Sequence, residues 1–397
     1  MFREIRRSTL ALAALGAFEA GSAHAIGFTQ GDWTLDVNGT VNAFYTQGKQ
    51  RDTLGGVTTT TDRANVQNGL LPGWINFVAT AKQKGLDVKA HFGFAPGINS
   101  NSQIVGLPSG ADGRFNDAYS KVDSRNVYFQ FGNNSMGTFK FGRDIGLFMS
   151  NPILLDMTLL GVGGTVRAAE PFNTTFGMIG HGYMYTGFQP QITYSTPNFG
   201  GFAASLGVFN PSQFDPVAGT EKKTPQFQGL ASFDWKGNFN GKVWGAFTDQ
   251  KTSGTGGRKA SGFEGGVKLG LGMALQPELL LSGFTAKGLG ISTIGAQFLG
   301  GSDANGNRLK SSGYFTQFTI RPITDLKLGV SYGENKDKEL RAAGLDGKRK
   351  AYAFGAYYSL TPSVTLVAEY INEKANNILG ADTQKADSFS LGAILFF

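Results

Sequence analysis

Cysteine is absent from the 397-residue chain, which rules out a disulfide framework, a thiolate metal site and a thiol nucleophile. Histidine is scarce, with three in all. His91 and His181 lie in no His-x-x-x-His pair or carboxylate cluster, and neither stands at catalytic spacing from a serine. Charged residues make up only 16% of the chain, and no basic run interleaves with aromatics on one element, so nucleic acid is not an expected partner. Nor does any window supply the 18 or more continuous apolar residues of a membrane-spanning helix. These absences predict a protein with no cofactor, no metal and no enzyme activity.

What is present points elsewhere. Arg3, Arg6 and Arg7, an apolar run from Leu10 to Phe18, and Ala23-His24-Ala25 read as a secretory leader over residues 1–25. The mature chain, 26–397, is then one domain. Removing Arg3, Arg6, Arg7, Glu4 and Glu19 with the leader takes the net charge from +7 to +6. The 58 glycines are roughly twice the usual share of about 7%, and aromatics reach 12%. An exported chain of this kind, without spanning helices, predicts an outer-membrane β-barrel.

A barrel strand needs about 9 to 11 residues that alternate apolar and polar. Sixteen segments qualify. The first five are Trp33 to Tyr45, Trp74 to Gln83, Leu86 to Pro96, Arg125 to Gly132 and Gly137 to Asp144. Next come Phe188 to Thr196, Phe202 to Phe209, Phe227 to Trp235, Gly241 to Thr248, Phe263 to Gly270 and Glu278 to Ala286. Gly313 to Arg321, Leu326 to Gly333, Lys350 to Leu360, Val364 to Asn372 and Ser388 to Phe397 complete the set. Tight turns such as Asn133 to Met136 and Thr361 to Ser363 alternate with long polar loops. Short turns face the periplasm in such barrels and long loops face outward. Closure alone satisfies every backbone group in lipid, so first and last strands should pair. The charged stretch Glu334 to Lys350 reads as an outer loop, a solvated face that could touch lipopolysaccharide.

The exception to the alternation is the stretch after Arg143. Residues 145–187 show no sustained period of two and carry glycines at 161, 163 and 164. An irregular segment that long is functional or misassigned. It reads as a loop folded into a channel.

The spacing of Arg125, Phe129, Gly137, Gly142 and Arg143 resembles that of the general porins of the Gram-negative outer membrane. So does Ile192-Thr-Tyr-Ser-Thr-Pro-Asn-Phe-Gly-Gly-Phe202, and so does the final Phe397. The resemblance implies an all-β, 16-stranded antiparallel transmembrane barrel with a long inward-folded third loop, assembled as a homotrimer in outer-membrane lipid. It also implies a C-terminal strand, ending in Phe397, that the barrel-assembly machinery reads. The expected function is passive diffusion of ions and small hydrophilic solutes. A structural or adhesin barrel is the alternative of a different class.

Strand parity turns Thr138 and Lys140 inward, and Arg143 comes where the strand gives way to the loop. The resemblance implies that Arg143 belongs to the basic side of a constriction; the bland alternative is an arginine tying the loop root to the wall. Opposing carboxylates should come from the loop, where Asp144, Asp156 and Glu170 are the acids; Asp156 either faces the lumen or caps a turn within the loop. Arg125 heads the preceding strand and completes the expected constriction set. Trp74, Thr40 and Ser195 stand where family members often place basic residues. Trp74 and an apolar loop suggest a narrower, less polar passage for small organic acids, or else the loop simply packs on the wall.

Overall fold

The computed structural model describes residues 25–98, 122–164, 174–212, 218–289, 303–378 and 381–397. Residues 1–24 of the expected leader 1–25, and Glu170, lie outside the described residues. Sixteen wall strands form one antiparallel barrel. They are β1 (Trp33–Leu54), β2 (Trp74–Gln83), β3 (Leu86–Pro96), β4 (Val122–Asn133), β5 (Gly137–Ile145), β6 (Phe188–Ser195), β7 (Phe202–Phe209) and β8 (Gln226–Trp235). The second half is β9 (Phe239–Lys251), β10 (Lys259–Leu271), β11 (Glu278–Lys287), β12 (Lys310–Ile323), β13 (Leu326–Arg341), β14 (Leu345–Ser359), β15 (Val364–Ile378) and β16 (Ala381–Phe396). Each pairs with its sequence neighbour, and β1 pairs with β16 from Thr40↔Phe396 to Thr53↔Thr383. That seam closes the sixteen-stranded wall on itself, as backbone burial in lipid requires.

The alternation has a direct physical reading. Val127, Phe129, Phe92, Phe263, Phe354 and Leu391 are exposed on the outward face, while Asn42, Thr193, Gln228 and Thr248 are buried on the inward one. Rings stack across strands on the outside, as in Phe129 on Phe141 at 5.1 Å and 10°. Two hairpins close in two residues, Lys84-Gly85 and Gly55-Gly56, with positive φ at both positions. That geometry matches strand twist, and glycine enters it without strain. No described helix is long and apolar enough to cross a membrane.

Three segments depart from the sequence-based expectation. Ile26–Gln30 adds to the periplasmic end of β1, and Val57–Gln67 adds to its outer half. The first is only five residues long, and the second does not alternate, since Thr58 to Thr61 are polar on both faces, so each takes its strand form from the neighbour it pairs with. Glu334 to Lys350 is not an open loop either: β13 runs to Arg341 and β14 begins at Leu345, so the hairpin continues as sheet beyond the apolar band.

The core lies inside the barrel. Phe148, Met149, Ile153, Met157, Leu159, Val162, Met178 and Tyr183 of the long loop pack against inward wall residues, among them Phe44, Trp244, Phe284, Phe315 and Tyr357. Burial of apolar side chains, about 25 cal/mol per Å² removed from water, holds the loop within the lumen.

Candidate functional site

After β5 the chain turns inward and crosses the lumen side of the wall. It forms one short helix, α1 (Ser150–Leu155), with Pro152 in the first turn, where its missing N–H costs nothing. A 3-10 turn follows at Met157–Leu160.

Polar side chains of the wall accept the hydrogen bonds that this irregular backbone cannot make internally. Gln228 of β8 accepts from the N–H groups of Leu147 (2.8 Å) and Phe148 (3.0 Å). Glu264 of β10 accepts from Met149 (2.9 Å), and Gln317 of β12 from Met157 (2.7 Å). Asn335 of β13 accepts from Gly182 (2.8 Å). Glu369 of β15 accepts from Val162 (2.7 Å) and Gly163 (2.8 Å), and its other oxygen accepts from the Tyr357 hydroxyl (2.5 Å). None of these residues stood out in the sequence, and Asn335 fell in the stretch expected as an outer loop. Their pairing with the loop is long-range and left no local signal.

A second inward segment, Asn68 to Gly73, clamps the loop from β1. Leu70 N–H donates to the Gly161 carbonyl (2.8 Å), and Thr175 N–H donates to that of Gly69 (2.9 Å). Asn42 holds the carbonyls of Leu71 and Pro72.

Asp156 is 3% exposed. It accepts from Thr158 N–H (2.9 Å), Thr158 Oγ1 (2.7 Å), Met178 N–H (3.3 Å) and the Tyr183 hydroxyl (2.6 Å). The structure therefore places it within the loop as the cap of the 3-10 turn, not on an open face of the lumen. Burial pushes its carboxyl above the usual range, against the opposing pull of these donors. The Tyr183 hydroxyl is raised as well, first by burial and then by Asp156.

Arg143 lies opposite Val127 and Pro190, at the end of β5 where the loop begins, the position of the loop-root tie that was the alternative to a lumen role. The charge is satisfied at the loop root, where the guanidinium donates to the Phe188 carbonyl at 2.9 Å.

Trp74 and Arg125 come together. Trp74 is opposite Thr40 on the inward row. Arg125 occupies a bulge where β4 gains a residue relative to Gly93 and Phe94 of β3, and a bulge re-aims a side chain. Its guanidinium lies 5.6 Å from the ring centres of both Trp74 and Phe188. The two rings are 5.8 Å apart at 56°. Asp123 is 3.2 Å from the guanidinium. Phe188 and Asp123 were not among the residues expected here.

Beside this cluster, a Cβ at Gly93 would meet Asn126 Oδ1 at 2.8 Å, and Asn76 Oδ1 and Trp74 Nε1 at 2.9 Å each. Trp74 Nε1 and Asn126 Oδ1 are buried without a hydrogen-bond partner. A free donor and a free acceptor therefore face the space that the missing side chain leaves. Toward the tight-turn end, His91 bridges Tyr128 (3.1 Å) and Asn76 (2.9 Å). Lys140 and Lys89 lie over the Tyr128 ring at 4.9 and 5.6 Å, and Lys140 pairs with Asp144. Asp144 also accepts from Asn126 at 2.7 Å. His181 lies 3.6 Å from Glu373. No cluster of potential metal ligands occurs among the described residues.

The model of the Gram-negative porin family matches residues 11–377. No curated protein sequence matches the chain. Its fold is similar to that of the anion-selective porin from Comamonas acidovorans (TM-score 0.59, 14% identity, covering 92% of this chain and 100% of that one). The outer membrane channel DcaP of Acinetobacter baumannii is also similar (0.65, 14%, 94% and 99%). So is the trimer form of OmpT, an outer membrane protein of Vibrio cholerae (0.53, 14%, 92% and 100%). With a closed sixteen-stranded wall, a lumen crossed by a docked loop and a family match over most of its length, the chain belongs to the Gram-negative porins, outer-membrane channels for passive diffusion of small solutes.

Proposed function

We propose that this porin favours small organic acids, aromatic carboxylates above all, and that Arg125 supplies the cation. The observation that carries the reading is the Arg125 guanidinium held 5.6 Å from the centres of both the Trp74 and the Phe188 rings. A guanidinium takes a carboxylate through paired N–H donors, and ring faces offer a platform for an aromatic solute. The unpartnered Trp74 Nε1 and Asn126 Oδ1 beside Gly93 add a donor and an acceptor for a polar substituent. Half-buried Leu154, Leu155 and Leu160 give the loop an apolar face. Lys140 and Lys89 over Tyr128 form a second cationic step toward the periplasm.

On this reading residues 145–187 are the constriction loop, and transport is passive, with no cofactor, metal-dependent step or covalent chemistry. Residues 1–25 are a leader, and 26–397 are the mature barrel. The working unit is a homotrimer, a reading supported by the trimer form of a similar barrel. The strand ending in Phe397 is the signal for the barrel-assembly machinery, and the outer rim contacts lipopolysaccharide.

Planar-bilayer conductance with benzoate added to one side tests the solute preference. Wild-type channels should be blocked reversibly. Arg125→Gln should raise the half-blocking concentration at least tenfold, and Arg143→Gln should leave it unchanged. Block of Arg125→Gln at the wild-type concentration would sink the proposal.

A further inference from the structure

The bulge in β4 brings a second charge into the lumen together with Arg125. Val127 and Phe129 point outward, and unbroken alternation would send Asp123 out with them. The extra residue reverses the order above it. Ser124 comes opposite Phe94, and Asp123 opposite Ala95, two residues from inward Gly93. Asp123 Oδ2 then accepts from Arg125 Nη2 at 3.2 Å, the one hydrogen bond or ion pair of either side chain among the described residues.

The two partners are held unequally. The Arg125 side chain is 14% exposed and stands 5.6 Å from the centres of the Trp74 and Phe188 rings, whereas the Asp123 side chain is 46% exposed. The cation is fixed and largely cut off from water. Its counter-ion can turn into the aqueous lumen at little cost, since an ion pair with one end this exposed holds weakly. For a solute the arrangement is unfavourable twice over: Asp123 occupies an N–H donor that an incoming carboxylate needs, and its charge repels the newcomer. A cation that had only to bind would stand better without it. A channel has a further requirement, because a site must be loose enough for the solute to leave.

We propose that Asp123 is a displaceable counter-ion that sets how long an organic acid stays on Arg125. In the empty channel Asp123 neutralises the guanidinium. The solute's carboxylate takes its place as Asp123 swings to water, and the return of Asp123 releases the solute. No proton moves, and no bond forms beyond the exchanged ion pair. The inference rests on Arg125 being the cation that receives the solute. An Asp123 that merely orients Arg125 would act with the opposite sign, since its removal would weaken binding.

Benzoate block of single channels in planar bilayers distinguishes the two roles, with wild type, Asp123→Asn and Asp123→Glu each checked for heat-modifiable migration. In Asp123→Asn the half-blocking concentration should fall about fivefold, the scale of one exposed ion pair, and the mean blocked time should lengthen by a similar factor. Asp123→Glu, which keeps the charge, should stay within about twofold of wild type. The difference between Asp123→Asn and wild type should shrink as salt rises. Exchange of radiolabelled benzoate across proteoliposomes at saturating concentration should be slower in Asp123→Asn, since release then limits passage. If Asp123→Asn does not fold, Asp123→Ser is read the same way. Unchanged or weaker block in Asp123→Asn, with Arg125→Gln still relieving block, would overturn the counter-ion role and leave the solute site standing. Block that survives Arg125→Gln would remove the site itself, and this inference with it.

Discussion

Glu369→Ala should release the lumen loop from one of its strongest anchors. The Glu369 carboxylate accepts two backbone N–H groups, from Val162 and Gly163, and the Tyr357 hydroxyl, all at 2.5 to 2.8 Å. Hydrogen bonds to a charged group contribute about 1.5 to 3 kcal/mol each, and a buried donor left unpaired costs about 1 to 3 kcal/mol. The loop borders water, which can reach the freed N–H groups and offset much of this, so a net loss of about 2 to 4 kcal/mol is expected. At about 1.4 kcal/mol per tenfold, the ratio of docked to undocked loop falls some thirty- to several-hundredfold. Single-channel recording at low voltage reads this as brief large-conductance openings at least about thirty times more frequent than in wild type, on the same scale. Glu369→Gln, which keeps one acceptor oxygen, should show a smaller effect, and Tyr357→Phe a smaller one still. Identical opening frequency and mean conductance in Glu369→Ala and wild type would refute the idea that these bonds hold the loop.

Gly93→Ala should cut benzoate block severalfold while changing salt conductance little, because the new methyl group would occupy the space where Trp74 Nε1, Asn76 Oδ1 and Asn126 Oδ1 converge; bilayer titration measures both. Asp156 has a raised pKa in the folded loop, so its contribution to loop stability is full below its ordinary value, near 3.8, and is lost as pH rises through the raised value. Limited proteolysis between pH 4 and 8 should therefore show better loop protection at acid pH in wild type than in Asp156→Asn, and parallel profiles would contradict this. Edman sequencing of protein recovered from the outer membrane should begin at Ile26 if residues 1–25 are removed as a leader.

The wall was legible in the sequence because a membrane strand must alternate over its full length, and each of the sixteen segments matches an observed strand, three of them (Phe188 to Thr196, Lys350 to Leu360 and Ser388 to Phe397) running one residue past its end. What lies beyond the bilayer was not. Val57–Gln67 carries no alternation, and the outer halves of β13 and β14 look like any charged loop, because pairing with a neighbour, not burial in lipid, makes them strands. Lys140 could be turned inward by parity, whereas Trp74 and Arg125 entered the set only through the resemblance, since Arg125 shares the parity of outward Val127 and Phe129 and is re-aimed by the bulge. Arg143 was left between a lumen role and a tie at the loop root, and its contact with the Phe188 carbonyl is of the second kind. Asp156 was undecidable within the chain's own pattern: a carboxylate on an irregular segment has no period to say which way it points. The anchors Gln228, Glu264, Gln317 and Glu369 carried no local signal, because their partners are far away in sequence.

The docked loop also has a mechanical meaning. Its fastenings run from Gln228 to Glu369, across strands that otherwise touch only their immediate neighbours. A thin-walled tube resists stretching but ovalises under side load, and a brace fixed at several points around its inner circumference prevents that. Lateral pressure from the membrane therefore acts on a stiffened cross-section. The passage keeps its width by virtue of the same hydrophobic packing that narrows it.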